Sequence, residues 1–310
     1  MSRDNNQLSG VLVVDKPQGL TSHDVVNVVR KVSGQRRVGH LGTLDPIATG
    51  VLPLCLGPTT RLAQFLQEGT KRYEATFLLG VSTDTQDVSG SVTAQREVLP
   101  EIADKVGTAA RTFLGDISQV PPAYSAVKHC GTPLYKFARR GAPVVTRPRT
   151  VTITSLEVRA VNLPRIEIAV ECSKGTYIRT LCHDIGEVLG CGAALEQLRR
   201  TVSGRFSQED AAELSLLRTR LDIESRLISP GDSLDEFGSI IVSEDERESV
   251  LHGRKVCQRG GERREPTQDA GGGLIRVYDQ RGMFLALAET MCEGDETYIV
   301  PRKVLAPNTR

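Results

Sequence analysis

Apolar residues recur along this chain with two periods, and the switches between them outline its elements. The run GVLVVDKP at residues 10–17 is almost wholly apolar up to its proline, as expected of a strand buried on both faces, with Lys16 at its exit. Val25, Val28, Val29 and Val32 then repeat at the helical spacing; Thr21 and Asp24 stand at capping-box positions before them and Gly34 after them, so a helix is predicted between. Residues 61–68 read as a short helix with Leu62, Phe65 and Leu66 inward. Residues 72–79 alternate, placing Tyr73, Ala75, Phe77 and Leu79 on one strand face.

Further on, Ile102, Val106, Ala110 and Phe113 mark another amphipathic helix, and residues 151–158 and 166–172 two more strands. The second runs into SKGTYIRTL, where Gly175 permits a sharp junction and Ile178, Leu181, Ile185 and Val188 mark a helix with Tyr177 and Arg179 in its first turn. A cation is unfavourable at that end of a helix, so Arg179 should have an anionic partner or face solvent. A further helix is predicted through Ala211, Leu214, Leu217 and Leu221, capped by Ser207 and Asp210. The sequence SPGDS at 229–233 is a linker signature, and the boundary between a domain of residues 1–232 and a smaller one of 233–310 is placed there. Beyond it lie a short helix opened by Ser243 and Glu246 and stopped by Gly253, a glycine triplet at 271–273, and strand candidates at 274–278 and 283–288, together a small β-rich module.

Composition narrows the class. At 310 residues with 39% hydrophobic and 25% charged side chains the chain reads as a globular protein of one large and one small domain. The polar start MSRDNNQLSG and the lack of a long apolar run point to the cytoplasm and away from a membrane. Seven scattered cysteines without a C-x-x-C pair indicate neither a disulfide framework nor a zinc site. Net charge is only +1, but its distribution is uneven. No acid occurs between Asp116 and Glu157, a stretch that carries Lys128, Lys136, Arg139, Arg140, Arg147 and Arg149 among prolines and aromatics. It reads as a basic protruding arm, residues 124–149. Arg30, Lys31, Arg36 and Arg37 form a second basic group and Arg199 with Arg200 a third, and together they suggest a phosphate-contacting surface.

Residues 39–53, GHLGTLDPIATGVLP, combine His40, a lone carboxylate at Asp45 and glycines at 39, 42 and 50. Pro46 biases Asp45 away from the helical region, so the segment is expected to be a shaped loop. Asp-Pro flanked by glycine is also ordinary turn chemistry, and nothing within these residues separates a turn from a site. The acids Asp84 and Asp87 lack the glycine and final glutamate of a calcium loop and are read as solvent-facing. Two other short patterns fail. Ser125 to Lys128 is S-x-x-K, but S-D-N and K-T-G are missing; Tyr124 to Lys128 is Tyr-x-x-x-Lys, but no G-x-G-x-x-G follows an early strand.

Taken in order, GVLVVDKPQGLTSHDVV, RRVGHLGTLDPIATGVLPLCLG, KRYEATFLLGVSTDTQD, QVPPAYSAVKHCGTPLYKFARRG, SKGTYIRTL and LRRT resemble the bacterial TruB family of tRNA pseudouridine synthases across residues 10–205. The resemblance implies an α+β fold, a mixed, largely antiparallel sheet with flanking helices, followed by a small PUA-like RNA-binding domain. It implies isomerisation of uridine 55 in the TΨC loop of tRNA by a monomer that uses neither metal nor cofactor. By the match Asp45 is the catalytic aspartate, Arg179 its partner and Tyr73 the aromatic that stacks on the flipped base, placed also to assist loss of the C5 proton. His40 corresponds to a residue that holds the opened RNA loop, Tyr177 and Leu198 to the uracil pocket, and the arm with Lys128, Arg139 and Arg140 to an insertion that closes on RNA. Lys16 is also placed among the substrate-binding residues. The rival reading is an RNA-binding and remodelling protein whose main act is to open the tRNA loop. It gives Asp45 no purpose, since a carboxylate beside a phosphate-binding surface repels RNA. A uridine methyltransferase is weaker, because no cysteine stands in a nucleophile context and no S-adenosylmethionine glycine motif follows a strand.

Overall fold

A computed structural model describes residues 7–305 except 126, 143, 145, 258–262, 265–272 and 294–295, and gives Arg263 and Arg264 as backbone alone. The polar first residues, parts of the arm and two of the triplet glycines read above lie outside the described residues. In chain order the strands of the first domain are β1 (Gly10–Lys16), β2 (Val38–His40), β3 (Ala48–Leu56), β4 (Lys71–Leu79), β5 (Val81–Thr83), β6 (Val92–Gln95), β7 (Gly115–Gln119), β8 (Lys128–His129), β9 (Thr132–Pro133), β10 (Arg149–Asn162), β11 (Arg165–Cys172), β12 (Ala193–Ser203), β13 (Phe206–Ser207) and β14 (Ala212–Glu213). Helices α1 (Ser22–Ser33), α2 (Ala63–Leu66), α3 (Ile102–Arg111), α4 (Leu134–Ala138), α5 (Ile178–Val188) and α6 (Arg220–Glu224) are set between them.

The main sheet runs β14-β1-β3-β12-β4-β11-β10-β7, with β2 and β13 attached to its inner strands. Only the β1–β14 and β3–β12 pairs are parallel, so the sheet is mixed and largely antiparallel, as the α+β reading requires. Its two faces are covered by different parts of the chain, and β1 shows why its sequence is apolar throughout. Leu12 and Val14 belong to the hydrophobic cluster that the sheet forms with α1, α3 and α5, whereas Val11 and Val13 belong to a second cluster that includes Leu234, Leu287 and Leu305. In β4 the predicted alternation holds: Tyr73, Ala75, Phe77 and Leu79 are all buried. Helix α1 carries both hydrogen bonds of the Thr21–Asp24 capping box and ends at Gly34 in the left-handed region (φ 69°).

Two expectations fail, and one central strand had no expectation at all. The helix predicted through Ala211 and Leu221 is absent: the Ser207–Asp210 capping box forms, but it opens a single turn, after which β14 pairs with Val14 and Asp15 of β1. Sheet pairing there outweighs helical period. LEQLRRTV, which carried no predicted element, is part of β12 at the centre of the sheet. The loop expected over residues 39–53 is narrower, because Gly39 and His40 belong to β2 and residues from Ala48 onward to β3.

From Gly238 a second sheet is built by β15 (Gly238–Ile241), β16 (Val256–Cys257), β17 (Arg263–Arg264), β18 (Leu274–Tyr278), β19 (Phe284–Glu293) and β20 (Glu296–Val304), with α7 (Glu244–Leu251) against it. The Ser243–Glu246 box caps α7 as predicted. No helix among the described residues is long and apolar enough to cross a membrane.

Candidate active site

Residues 41–47 connect β2 to β3 and are tied down at nearly every position. The Leu41 amide donates to Pro53 and the Gly19 amide to the Pro46 carbonyl (2.8 Å each), and the Ala48 amide reaches the Asp45 carbonyl (3.0 Å). From α1, Ser22 Oγ accepts from the Leu44 amide (2.7 Å) and donates to the Leu44 carbonyl (3.0 Å). The largest anchor is Arg200. It is 1% exposed, and its guanidinium donates to the carbonyls of Val51 (2.7 Å), Thr43 (3.4 Å) and Gly42 (3.3 Å). Gly50 (φ 98°) makes this approach possible: a Cβ there would lie 2.2 Å from the Arg200 carbonyl oxygen. With its neighbours held, Asp45 points its carboxylate into a cavity of about 470 Å³. Leu41, Thr43, Lys71, Tyr73, Ser125 and Tyr177 are among its walls, with Leu198 and Arg179.

Arg179 sits in the first turn of α5, behind an N-cap formed by Tyr177, and its predicted anionic partner is Asp45. The Nε–Oδ2 distance is 2.8 Å, an ion contact rather than an aligned hydrogen bond, since Nε has no hydrogen-bond acceptor. The other guanidinium nitrogens donate to the carbonyls of Thr85 (2.8 Å) and Tyr124 (3.0 Å), and Asp87 Oδ2 lies 3.6 Å away. Arg179 is therefore clamped between the loop, the β5–β6 hairpin and the root of the arm. Asp87 is 5% exposed and held by Thr85 and Ser89, which corrects its reading as a solvent-facing acid. Burial is the main influence on Asp45 and pushes its carboxyl above the ordinary range; Arg179 opposes the shift and Asp87 adds to it. One third of the Asp45 side chain, 34%, remains open to the cavity.

Tyr73 pairs with Arg200 across β4 and β12, its hydroxyl beside that guanidinium, and burial raises its phenol. Leu198, two residues earlier on β12, lines the same cavity. Tyr177 is locked by Gln119, whose side chain accepts from the Tyr177 amide (3.0 Å) and donates to its carbonyl (3.2 Å). His40 is half-buried at the end of β2, outside the cavity wall; burial first and Arg200 second push its imidazole below the ordinary histidine range. Lys128, Arg139 and Arg140 are exposed on the arm, where β8, β9 and α4 form a compact hairpin and turn, and none of the three pairs with an acid among the described residues.

Two basic expectations require correction. Lys16 is fully buried, its ammonium donating to the carbonyls of Pro17 (2.9 Å) and Leu20 (2.7 Å), so it braces the chain beside the loop instead of meeting a ligand. Burial pulls it down to about 8 against the opposing pull of Asp45. Nor do Arg199 and Arg200 add to a phosphate surface: Arg199 forms a two-pronged pair with Asp15 (2.7 and 3.1 Å) and Arg200 faces the loop. Arg200, Asp87 and Lys71 are the site residues that sequence reasoning missed.

This is a fixed carboxylate beside a buried guanidinium in a cavity with two tyrosines. Residues 30–178 match the TruB family pseudouridylate synthase N-terminal domain, and residues 179–234 the C-terminal domain of tRNA pseudouridylate synthase B. The chain belongs to the TruB family of pseudouridine synthases. It is 46% identical over 249 residues to the tRNA pseudouridine synthase B of Geotalea uraniireducens, covering 79% of this chain and 80% of that one. To the protein of the same name from Pseudomonas aeruginosa it is 40% identical over 312 residues and 98% of both chains. Among solved structures, a chain of an H/ACA RNP bound to a substrate RNA containing 2′-deoxyuridine superposes with a TM-score of 0.72 at 26% identity, over 97% of this chain and 86% of that one. Family membership makes this chain an isomerase.

Proposed function

We propose that the chain converts uridine 55 in the TΨC loop of tRNA to pseudouridine at the Asp45 cavity, as a monomer in the cytoplasm. The observation that carries this reading is the Asp45–Arg179 pair at 2.8 Å, set in a cavity of about 470 Å³ with Tyr73 and Leu198. That space accepts a single nucleotide, and a base can enter it only by leaving its stack, at a cost of a few kcal/mol. Stacking on an aromatic returns about 1–3 kcal/mol, a role assigned to Tyr73, with Tyr177 and Leu198 closing the sides of the base.

In the proposed reaction Asp45 initiates cleavage of the bond between N1 and C1′. The uracil turns within the cavity, C5 bonds to C1′, the C5 proton departs, and N1 ends protonated, so the atoms balance as an isomerisation. The pair with Arg179 supplies an ionised carboxylate despite burial, because a guanidinium stays charged where an ammonium would lose its proton. Preorganisation by Arg200, Ser22 and Gly19 means that the loop does not reorder during the reaction. His40 supports the opened RNA loop, the exposed arm with Lys128, Arg139 and Arg140 contacts the phosphate backbone of the T stem-loop, and the module beyond Gly238 acts as a PUA-like RNA-binding domain.

The test is an unmodified tRNA transcript tritiated at uridine C5. Release of one tritium per tRNA, mapped to position 55, is expected. Release from another position would overturn the site assignment, and none at all would leave only the loop-opening reading.

A further inference from the structure

Two lysines are buried within the first domain, and their surroundings differ. Lys16 spends its ammonium on two backbone carbonyls. Lys71 is 8% exposed at the start of β4, flanked by Cys172 of β11 and Ser203 of β12, and its ammonium has neither hydrogen bond nor ion pair among the described residues. Glu68, the acid that acts on it, is engaged with Lys174. Its Nζ would be 4.0 Å from a Cβ at Gly42, next to Arg200, and it forms part of the wall of the Asp45 cavity.

An ammonium held at a cavity wall without an acceptor is poorly solvated, and an anionic ligand entering the cavity can provide the missing partner. Every other charge at the cavity is accounted for: Asp45 by Arg179, Arg200 by three carbonyls, Lys174 by Glu68. We infer that Lys71 binds a backbone phosphate flanking the nucleotide that enters the cavity, fixing the ribose relative to Asp45. This rests on the RNA-uridine reading above, and a phosphodiester is the one anion such a nucleotide brings. The surroundings agree: burial first, and Arg200 and Lys174 after it, pull the ammonium down to about 8, while Glu68 and Cys172 act in the opposite direction. An incoming phosphate would hold it charged.

The experiment compares the full-length protein and Lys71→Met on a T stem-loop RNA carrying a single methylphosphonate at the phosphate 5′ or 3′ to the target uridine. Tritium release and RNA binding by fluorescence anisotropy are read together. Loss of a charge-assisted contact should lower kcat/KM by roughly 10- to 100-fold. One of the two methylphosphonates should cost the wild type the same factor and cost Lys71→Met nothing further. Because methionine keeps the packing of the stem and removes a charge that has no partner in the fold, the melting temperature should hold or rise, whereas a structural lysine would lower it. Equal additional losses in both proteins at both positions, or a variant with wild-type kinetics, would overturn the inference. If the wild type released no tritium, the reading of the reaction would fail, and anisotropy would still decide whether Lys71 and a flanking phosphate are coupled.

Discussion

The loop at residues 41–47 and the arm at 124–149 both carry charge, and they treat it in opposite ways. In the loop region every charged group except Lys71 is partnered within the protein. Arg200 is spent on carbonyls, Lys16 on carbonyls, and Arg179 on Asp45, Asp87 and two more carbonyls. In the arm, Lys128, Arg139 and Arg140 are exposed and pair with no acid among the described residues, and Arg139 stacks on Tyr135 at 5.4 Å. Charges satisfied internally fix geometry; charges left to solvent are available to a polyanion. Arg179 links the two regions, pairing with Asp45 of the loop and donating to the carbonyl of Tyr124 at the arm's root.

The contrast can be broken first at Gly50. Alanine there would place a Cβ 2.2 Å from the Arg200 carbonyl at a φ of 98°, so Gly50→Ala should lose about 3 kcal/mol of stability, measured by chemical denaturation. A wild-type midpoint would show that the loop is not packed as described. A smaller effect concerns acidity. Asp87 helps raise the Asp45 carboxyl, and activity requires the ionised form, so the acid limb of the pH–rate profile should lie above the ordinary aspartate value of about 3.9 and move to lower pH in Asp87→Asn. A shift to higher pH would mean that Asp87 acts mainly by holding Arg179. Smallest in rate is the arm. Replacing Arg139 and Arg140 together by alanine should weaken RNA binding and reduce the slope of log K against log salt by up to about 2, at 0.7–0.9 per phosphate contact, with the single-turnover rate at saturating RNA little changed. An unchanged slope would remove the arm from the phosphate interface.

Much of the frame was legible in the sequence, because it rests on local pattern: the alternation of β4, the capping boxes at Thr21 and Ser243, and the helix opened at Tyr177. What escaped was decided by pairing between distant segments. Arg199 and Arg200 look alike in the sequence, but neighbours on a strand face opposite sides, so one meets Asp15 and the other the loop. Lys16, at the end of an apolar run, resembles a cation leaving the core, yet the turn through Leu20 folds back over it. Asp87 sits in a polar turn whose sequence gives no sign that Arg179 lies opposite. The capping box at Ser207 was correct about the turn and misleading about the helix, since β1 offered residues 212–213 a partner strand.

The central claim, that chemistry resides in the loop and binding elsewhere, is tested most directly by Asp45→Asn. Single-turnover tritium release from C5-labelled tRNA should fall by about 10³-fold or more, the scale of losing a positioned reacting group, while RNA affinity stays within a few-fold of wild type. Release at the wild-type rate in that variant would contradict the account.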